Sequence, residues 1–325
     1  MHITISLKAV QELLAPIQPL LPFVPQNQMA KLVINNQATI LVKRLMFGDS
    51  EQQENAKRQK SSTGVFVLSE DDVACDLYSY NSDIEKTMSF QSYGNSKGGS
   101  FKTMRSILVD WLVSVHFAHG FSANSLFLAV SILDRYCAAG ETPCRKTLQL
   151  YGIASLLLAT KYHERNPLRP RDCATYTAGC YTVEQILAAE SEILSAIGFR
   201  LSVPTVHTFV HIFLSSLKVN QEIRNSTEYI AEKCLYEMEL VAFPPSLVAF
   251  SAMLIALSCN LHGRQILQQA WGCLHARVNY TEDDSTACKA VIKKQLKATI
   301  FTRSKRKLEA VDQKYTTVAK MDLAL

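Results

Sequence analysis

From Thr103 to about Ile300 the apolar residues recur every three or four positions, the period of a helix with one face turned inward. Met104, Ile107, Leu108, Trp111, Leu112 and Val115 form the first stripe, with Thr103 placed to cap it and Gly120 to end it. Ser122 opens a second helix through Leu126, Val130 and Leu133. A third, from about Lys146 to His163, is apolar on nearly every side, which predicts a helix at the centre of a bundle. Asn166-Pro167-Leu168-Arg169-Pro170 breaks the pattern, and a short helical piece follows. Thr182 and Gln185 then make a capping box for a fifth helix ending near Gly198.

The pattern repeats. Pro204 opens a helix to Leu217, and Asn225 with Glu228 caps another that runs to Ala242. Pro244-Pro245-Ser246 starts a second helix that is apolar all round, and Thr281 with Asp284 begins the last one. Ser155 and Ser251 occupy comparable contexts 96 positions apart, inside the two most apolar helices. A repeat of that length is too long for an ordinary solenoid and fits two copies of one five-helix domain. No window carries β-branched alternation, so the fold class is all-α.

The boundaries follow from the same pattern. Residues 1–70 lack a sustained period and read as a mostly disordered tail, with a polar linker from Ser50 to Ser62. Residues 71–101 hold a short helix, with Val73, Leu77, Tyr80 and Ile84 at helical spacing, and a Gly94–Ser100 loop. That loop lacks the Lys-Ser/Thr and following helix of a phosphate-binding loop. The two bundles take residues 102–200 and 201–302, and 303–325 reads as a charged tail.

Composition narrows the function. With 48% hydrophobic and 19% charged residues the chain can bury real cores. A net charge of +5 is too modest to favour nucleic acid as a partner, and a DNA-binding copy of the bundle would need a basic stripe that its helices lack. Nine cysteines without a CxxC pair read as reduced thiols. The apolar stretch Leu13 to Val24 is interrupted by Pro16, Pro19 and Pro22, which argues against a membrane span. His207 with His211, and His116 with His119, have helical metal-site spacing but no accompanying glutamate or third ligand, so no metal is expected. No nucleophile elbow, Walker loop or kinase Gly-rich loop appears, and no enzyme activity is expected.

Two charges stand out against the apolar stripes. Lys161 lies one turn after Leu157 and Leu158, and Glu190 lies on the stripe of Ile186, Ile193, Leu194 and Ile197. Opposite charges on inward faces of successive long helices invite a pair; the competing reading is that both snorkel to water.

Met104-Arg105-Ser106-Ile107-Leu108-Val109-Asp110-Trp111-Leu112 resembles the MRAILVDWL signature that opens the cyclin box. Leu126 to Tyr136 (LFLAVSILDRY), Leu148-Gln149-Leu150, Leu156 to Glu164 (LLLATKYHE) and Phe243-Pro244-Pro245-Ser246 are similar to later cyclin segments in collinear order, most like B-type members. The resemblance implies a non-enzymatic regulatory subunit, without a cofactor, that binds and activates a cyclin-dependent protein kinase in cell-cycle progression, at G2/M. It implies that Lys161 and Glu190 hold the first box together and contact the kinase backbone, with Tyr162, Glu164, Leu194, Phe199, Leu201, Leu77 and Tyr80 at the same interface. Met104, Ile107, Leu108, Trp111, Ser114, Leu148 and Gln149 correspond to the groove that docks Arg-x-Leu peptides of substrates or inhibitors. Ser114 stands where A-type relatives carry an acid, and His163 replaces an acid of the family's KFEE. No destruction box is legible in the N-terminal region. Lys57-Arg58-Gln59-Lys60 and Lys305-Arg306-Lys307 are basic runs of the nuclear-import kind or plain solvated charge, and the expected location is nucleus and cytoplasm. The rival reading is a transcription-type member of the same fold.

Overall fold

A computed structural model of the chain describes residues 70–88, 98–140, 143–217, 219–259, 262–267, 280, 282–301 and 308–319. The tail before residue 70, Thr281 and both basic runs lie outside the described residues. Every regular element among those described is helical. After α1 (Glu70–Lys86) come α2 (Gly98–His119), α3 (Ala123–Ala139), α4 (Leu148–His163), α5 (Pro170–Tyr176) and α6 (Val183–Ala196). The order then recurs as α7 (Val206–Ser216), α8 (Gln221–Cys234), a 3-10 turn (Met238–Ala242), α9 (Pro245–Ser258), a helical stretch at 262–267 and α10 (Glu282–Phe301). Two short helices, α11 (Ala310–Lys314) and α12 (Thr316–Ala319), close the described chain.

The two helices read as apolar all round are the bundle centres. Ten residues of α4 and twelve of α9 are buried, Ser155 and Ser251 among them. Ser155 satisfies its hydroxyl by donating to Tyr151 O at 2.7 Å, one turn back. The Thr182–Gln185 capping box is made in both directions, at 2.9 and 3.3 Å. Gly120 and Gly198, at φ +64° and +61°, supply the left-handed turns that end α2 and follow α6.

The two cores are not closed off from each other. One holds Leu112, Ile132, Leu156, Leu157, Ile186 and Ile193 of the first bundle. The other gathers the apolar residues of the second bundle and also takes Val109, Val113, Leu126, Phe127 and Val130 from α2 and α3.

Four expectations need correction. α2 begins at Gly98, not Thr103, because Phe101 is buried in the first core and its packing outweighs the poor propensity of two glycines. α8 begins at Gln221, where Asn220 Oδ1 accepts the Ile223 N–H at 2.9 Å; Ile223 is buried, and that fixes the earlier start over Asn225. It ends at Cys234, and the segment to Ala242 is a 3-10 turn instead of more α-helix. The segment read as a charged tail contains α11 and α12, with Ala310, Val311 and Val318 buried in the second core. Its charges misled because they turn inward. Asp312 meets Lys233 at 2.7 Å, and Lys314 meets Glu232.

α1 is anchored to the second bundle. The Tyr78 ring packs on Phe209 and Phe213 at 6.0 and 5.8 Å. Buried Glu85 accepts the Ser246 N–H at 2.8 Å and its hydroxyl at 2.5 Å, placing a carboxylate at the N-terminus of α9. Burial pushes the Glu85 carboxyl above its ordinary range, and the two Ser246 hydrogen bonds pull it back only in part.

Candidate functional site

Lys161 in the last turn of α4 and Glu190 on α6 form the expected pair, Nζ to Oε1 at 2.6 Å. The pair is lopsided: the Glu190 side chain is 11% exposed and that of Lys161 is 40%. It is therefore not the largely buried pair anticipated. Thr160, one residue earlier, is fully buried, whereas Lys161 lies exposed beside that face and meets Glu190 only with its ammonium. The next residue, Tyr162, presents an exposed ring set edge-on to His163 at 4.9 Å.

Glu164 turns inward to a structural task. One of its carboxylate oxygens accepts from Ser122 N at 2.9 Å, Ser122 Oγ at 2.8 Å and Ser125 Oγ at 2.5 Å. Ser122 makes no side-chain cap of its own, so Glu164 caps α3 from across the bundle. Burial alone would raise its carboxyl; the serine hydrogen bonds outweigh that and hold it below the usual range.

Beyond α6 comes the most exposed large apolar side chain among the described residues. Phe199 is 69% exposed and sits at φ +58°, a left-handed conformation costly for any residue with a Cβ. Its N–H donates to Leu194 O at 2.9 Å, which holds the turn. Arg135 donates to Arg200 O at 2.7 Å, and Arg200 to Thr87 Oγ1 at 3.0 Å, so the Phe199 turn is tied to the end of α1. On α1, Leu77 and Tyr80 are exposed and lie away from the buried Ala74 and Glu85. Leu194 and Leu201 are partly buried against the first core and offer less surface than the other interface candidates.

The proposed groove splits in two. Met104, Trp111 and Gln149 are half-buried, and Ile107 and Ser114 are exposed. Leu108 and Leu148 are core residues, not lining. Gly152 explains Leu108: a Cβ there would stand 2.8 and 2.9 Å from the two Leu108 methyls, so α4 lets that side chain in by having none. The open surface is thus Met104, Ile107, Trp111, Ser114 and Gln149.

The match to known proteins covers both bundles. The N-terminal cyclin domain model matches residues 76–202 and the C-terminal cyclin domain model residues 204–324. The chain belongs to the cyclin family. Among its relatives, Cyclin-B1-2 of Arabidopsis thaliana is 31% identical over 243 residues, covering 74% of this chain and 52% of that one. The G2/mitotic-specific cyclin S13-7 of Glycine max is 34% identical over 171 residues, covering 53% of this chain and 66% of its own length. This cyclin thus spans roughly half to two thirds of such relatives. The crystal structure of a viral cyclin from herpesvirus saimiri shares the fold, with TM-score 0.57 and 21% identity over 69% of this chain and 96% of that one.

One buried ion pair of this cyclin, which ties the first bundle to the second, is not among the expected site residues. Arg105, 2% exposed, donates to both Asp134 oxygens at 2.7 and 2.6 Å and to Leu235 O of the second bundle at 2.8 Å. An arginine inside an apolar stripe was the legible signal. Of the two histidine pairs, His116 donates from Nε2 to Ser122 O at 2.8 Å, and His207 is hydrogen-bonded to Asn124 Oδ1 at 3.0 Å. Among the described residues no three potential ligands cluster as a metal site, and no helix is long and apolar enough to cross a membrane. One expectation reverses: α10 does carry a lysine stripe, Lys289, Lys293, Lys294 and Lys297, within nine residues.

Proposed function

We propose that this cyclin is a non-catalytic regulatory subunit that binds a cyclin-dependent protein kinase and holds it in its active conformation. The observation that carries the reading is Phe199, an exposed aromatic kept at left-handed backbone beside the Arg200 tether to α1. Such strain costs roughly 1–3 kcal/mol and persists where a site needs it. With Tyr162, Leu77 and Tyr80 it supplies apolar surface that a monomer has no reason to leave in water. A subunit that binds the active kinase conformation better than the inactive one shifts their populations by that difference. The similarity to B-type and G2/mitotic-specific cyclins supports action at G2/M. We place that action in nucleus and cytoplasm. In this reading Met104, Ile107, Trp111 and Gln149 receive Arg-x-Leu segments of substrates or inhibitors.

Affinity capture of the full chain from dividing cells, followed by assay of the bound fraction for protein kinase activity, tests the proposal. Associated kinase activity lost on Phe199→Asp is the expected result; capture without any kinase would overturn it. The α10 lysines keep one second reading open, a DNA-binding member of the fold. Retention on duplex DNA that falls steeply with salt would favour that one instead.

A further inference from the structure

Between the two bundles lies a cavity of about 130 Å³ that the kinase reading does not use. One wall is a face of α3, including Val130, and the opposite wall comes from the second bundle, including Phe243 and Val248. The Arg105–Asp134 ion pair lies along it. The volume is close to that of apolar protein cavities that admit a benzene-sized ring, about 150 Å³. Its exposed walls are mainly apolar with a few polar groups among them, the make-up of a site for a ligand with a carbon skeleton.

The lining also states what charge that ligand carries. Its lining holds two cationic residues, Arg105 and Arg135, and two anionic ones, Asp134 and Glu237, with Arg105 salt-bridged to Asp134 and Arg135 donating to Arg200 O. An anion attracted by the first pair meets the second, and a cation meets the reverse, so the cavity selects a neutral molecule. Ser131 lines the same space, and its hydroxyl makes no hydrogen bond within the described protein.

We propose that this inter-bundle cavity is a binding site for a neutral, single-ring aromatic molecule bearing one hydrogen-bonding group, with the ring between Val130 and Val248 and the polar group on Ser131. Both bundles grip such a ligand, so its binding adds to the cohesion between them by mass action.

The test uses the full chain with 4-fluorophenol and fluorobenzene as probes, followed by fluorine NMR. Both rings should bind saturably, and 4-fluorophenol more tightly. Ser131→Ala should weaken 4-fluorophenol by roughly threefold to tenfold, the worth of one hydrogen bond, and leave fluorobenzene unchanged. Ala138→Phe, which adds a ring at the exposed α3 rim of the space, should weaken binding of both; circular dichroism checks that it folds, and Ser131→Ala carries the test if it does not. Absence of saturable binding by either ring overturns the proposal. So does binding that a folded Ala138→Phe leaves intact, or a Ser131→Ala variant that weakens both probes equally or neither.

Discussion

Lys161→Ala and Glu190→Ala delete the same ion pair, yet the geometry says they should not cost the same. After Glu190→Ala the Lys161 ammonium, on a side chain already 40% exposed, swings into water, and the loss is that of a surface pair, below about 1 kcal/mol. After Lys161→Ala the Glu190 carboxylate, 11% exposed on the inner face of α6, is left without its partner. Stranding it should cost about 2–3 kcal/mol, near the upper end for an unsatisfied buried group and short of a fully buried charge. The gap of about 2 kcal/mol is roughly 30-fold in the folding equilibrium. Urea unfolding at neutral pH, followed by circular dichroism, measures both variants against the parent. The double variant should be more stable than Lys161→Ala alone, because it removes the stranded charge. Equal costs, or a larger cost for Glu190→Ala, would refute the reasoning. The same proteins serve a kinase-activation assay: if Lys161 contacts the kinase, activation falls at temperatures where the variant is fully folded. Activation that merely tracks the folded fraction would reduce Lys161 to a positioning role.

Asp312→Ala leaves Lys233, 1% exposed, with its cation buried, and should cost about 3–5 kcal/mol; a thermal midpoint within error of the parent would mean that α11 is only loosely seated. Ile107→Ala with Trp111→Ala should weaken an Arg-x-Leu peptide while leaving kinase association intact, whereas Leu108→Ala should cost about 2–5 kcal/mol of stability as a core truncation. Peptide titrations beside urea curves separate the two effects. Burial above all lowers His116 and His207 from 6.5 to about 4, with Lys314 adding to both, His119 to His116 and His211 to His207, and with Ser122 and Glu164 opposing at His116. Both rings are held neutral, so their contribution is complete above pH 6.5 and is lost as pH falls toward 4; His116→Gln and His207→Asn should flatten that slope in urea midpoints, and an unchanged slope would count against it. Glu85 and Glu232, raised by burial, act in the opposite direction above pH 4.5, which is why the comparison must be variant against parent in one buffer.

The fold was legible where one local rule acted alone. α4 and α9 announced themselves by lacking a polar side, and Thr182 with Gln185 by a capping pattern that needs only four residues. The start of α8 was misread because Asn225 and Asn220 both stand three residues before a plausible partner, and only the burial of Ile223 decides between them. The closing helices were missed for a deeper reason. Asp312 and Lys314 look solvated in sequence, and the partners that draw them inside, Lys233 and Glu232, lie about eighty residues away. At the site, the stripe arguments brought Lys161 to Glu190 but could not say which of the two would be covered. Leu108 reads from its own helix both as part of the inward stripe and as groove lining, and Gly152, on another helix, decides for the core by making room for it.

The sharing of Val109, Val113, Leu126, Phe127 and Val130 with the second core bears on how such a duplicated molecule can be cut. A repeat that merely stacks on its copy can be excised, shuffled or expressed alone. Here the first unit lends part of its own helices to finish the second, and α1, from ahead of both, reaches past the first to cap α9. Severed near Ser202, each half would present a raw apolar face, so the pieces should aggregate alone and recover structure only when refolded together. The chain holds two tandem domains, and the side chains that interlock them should make it fold as one unit.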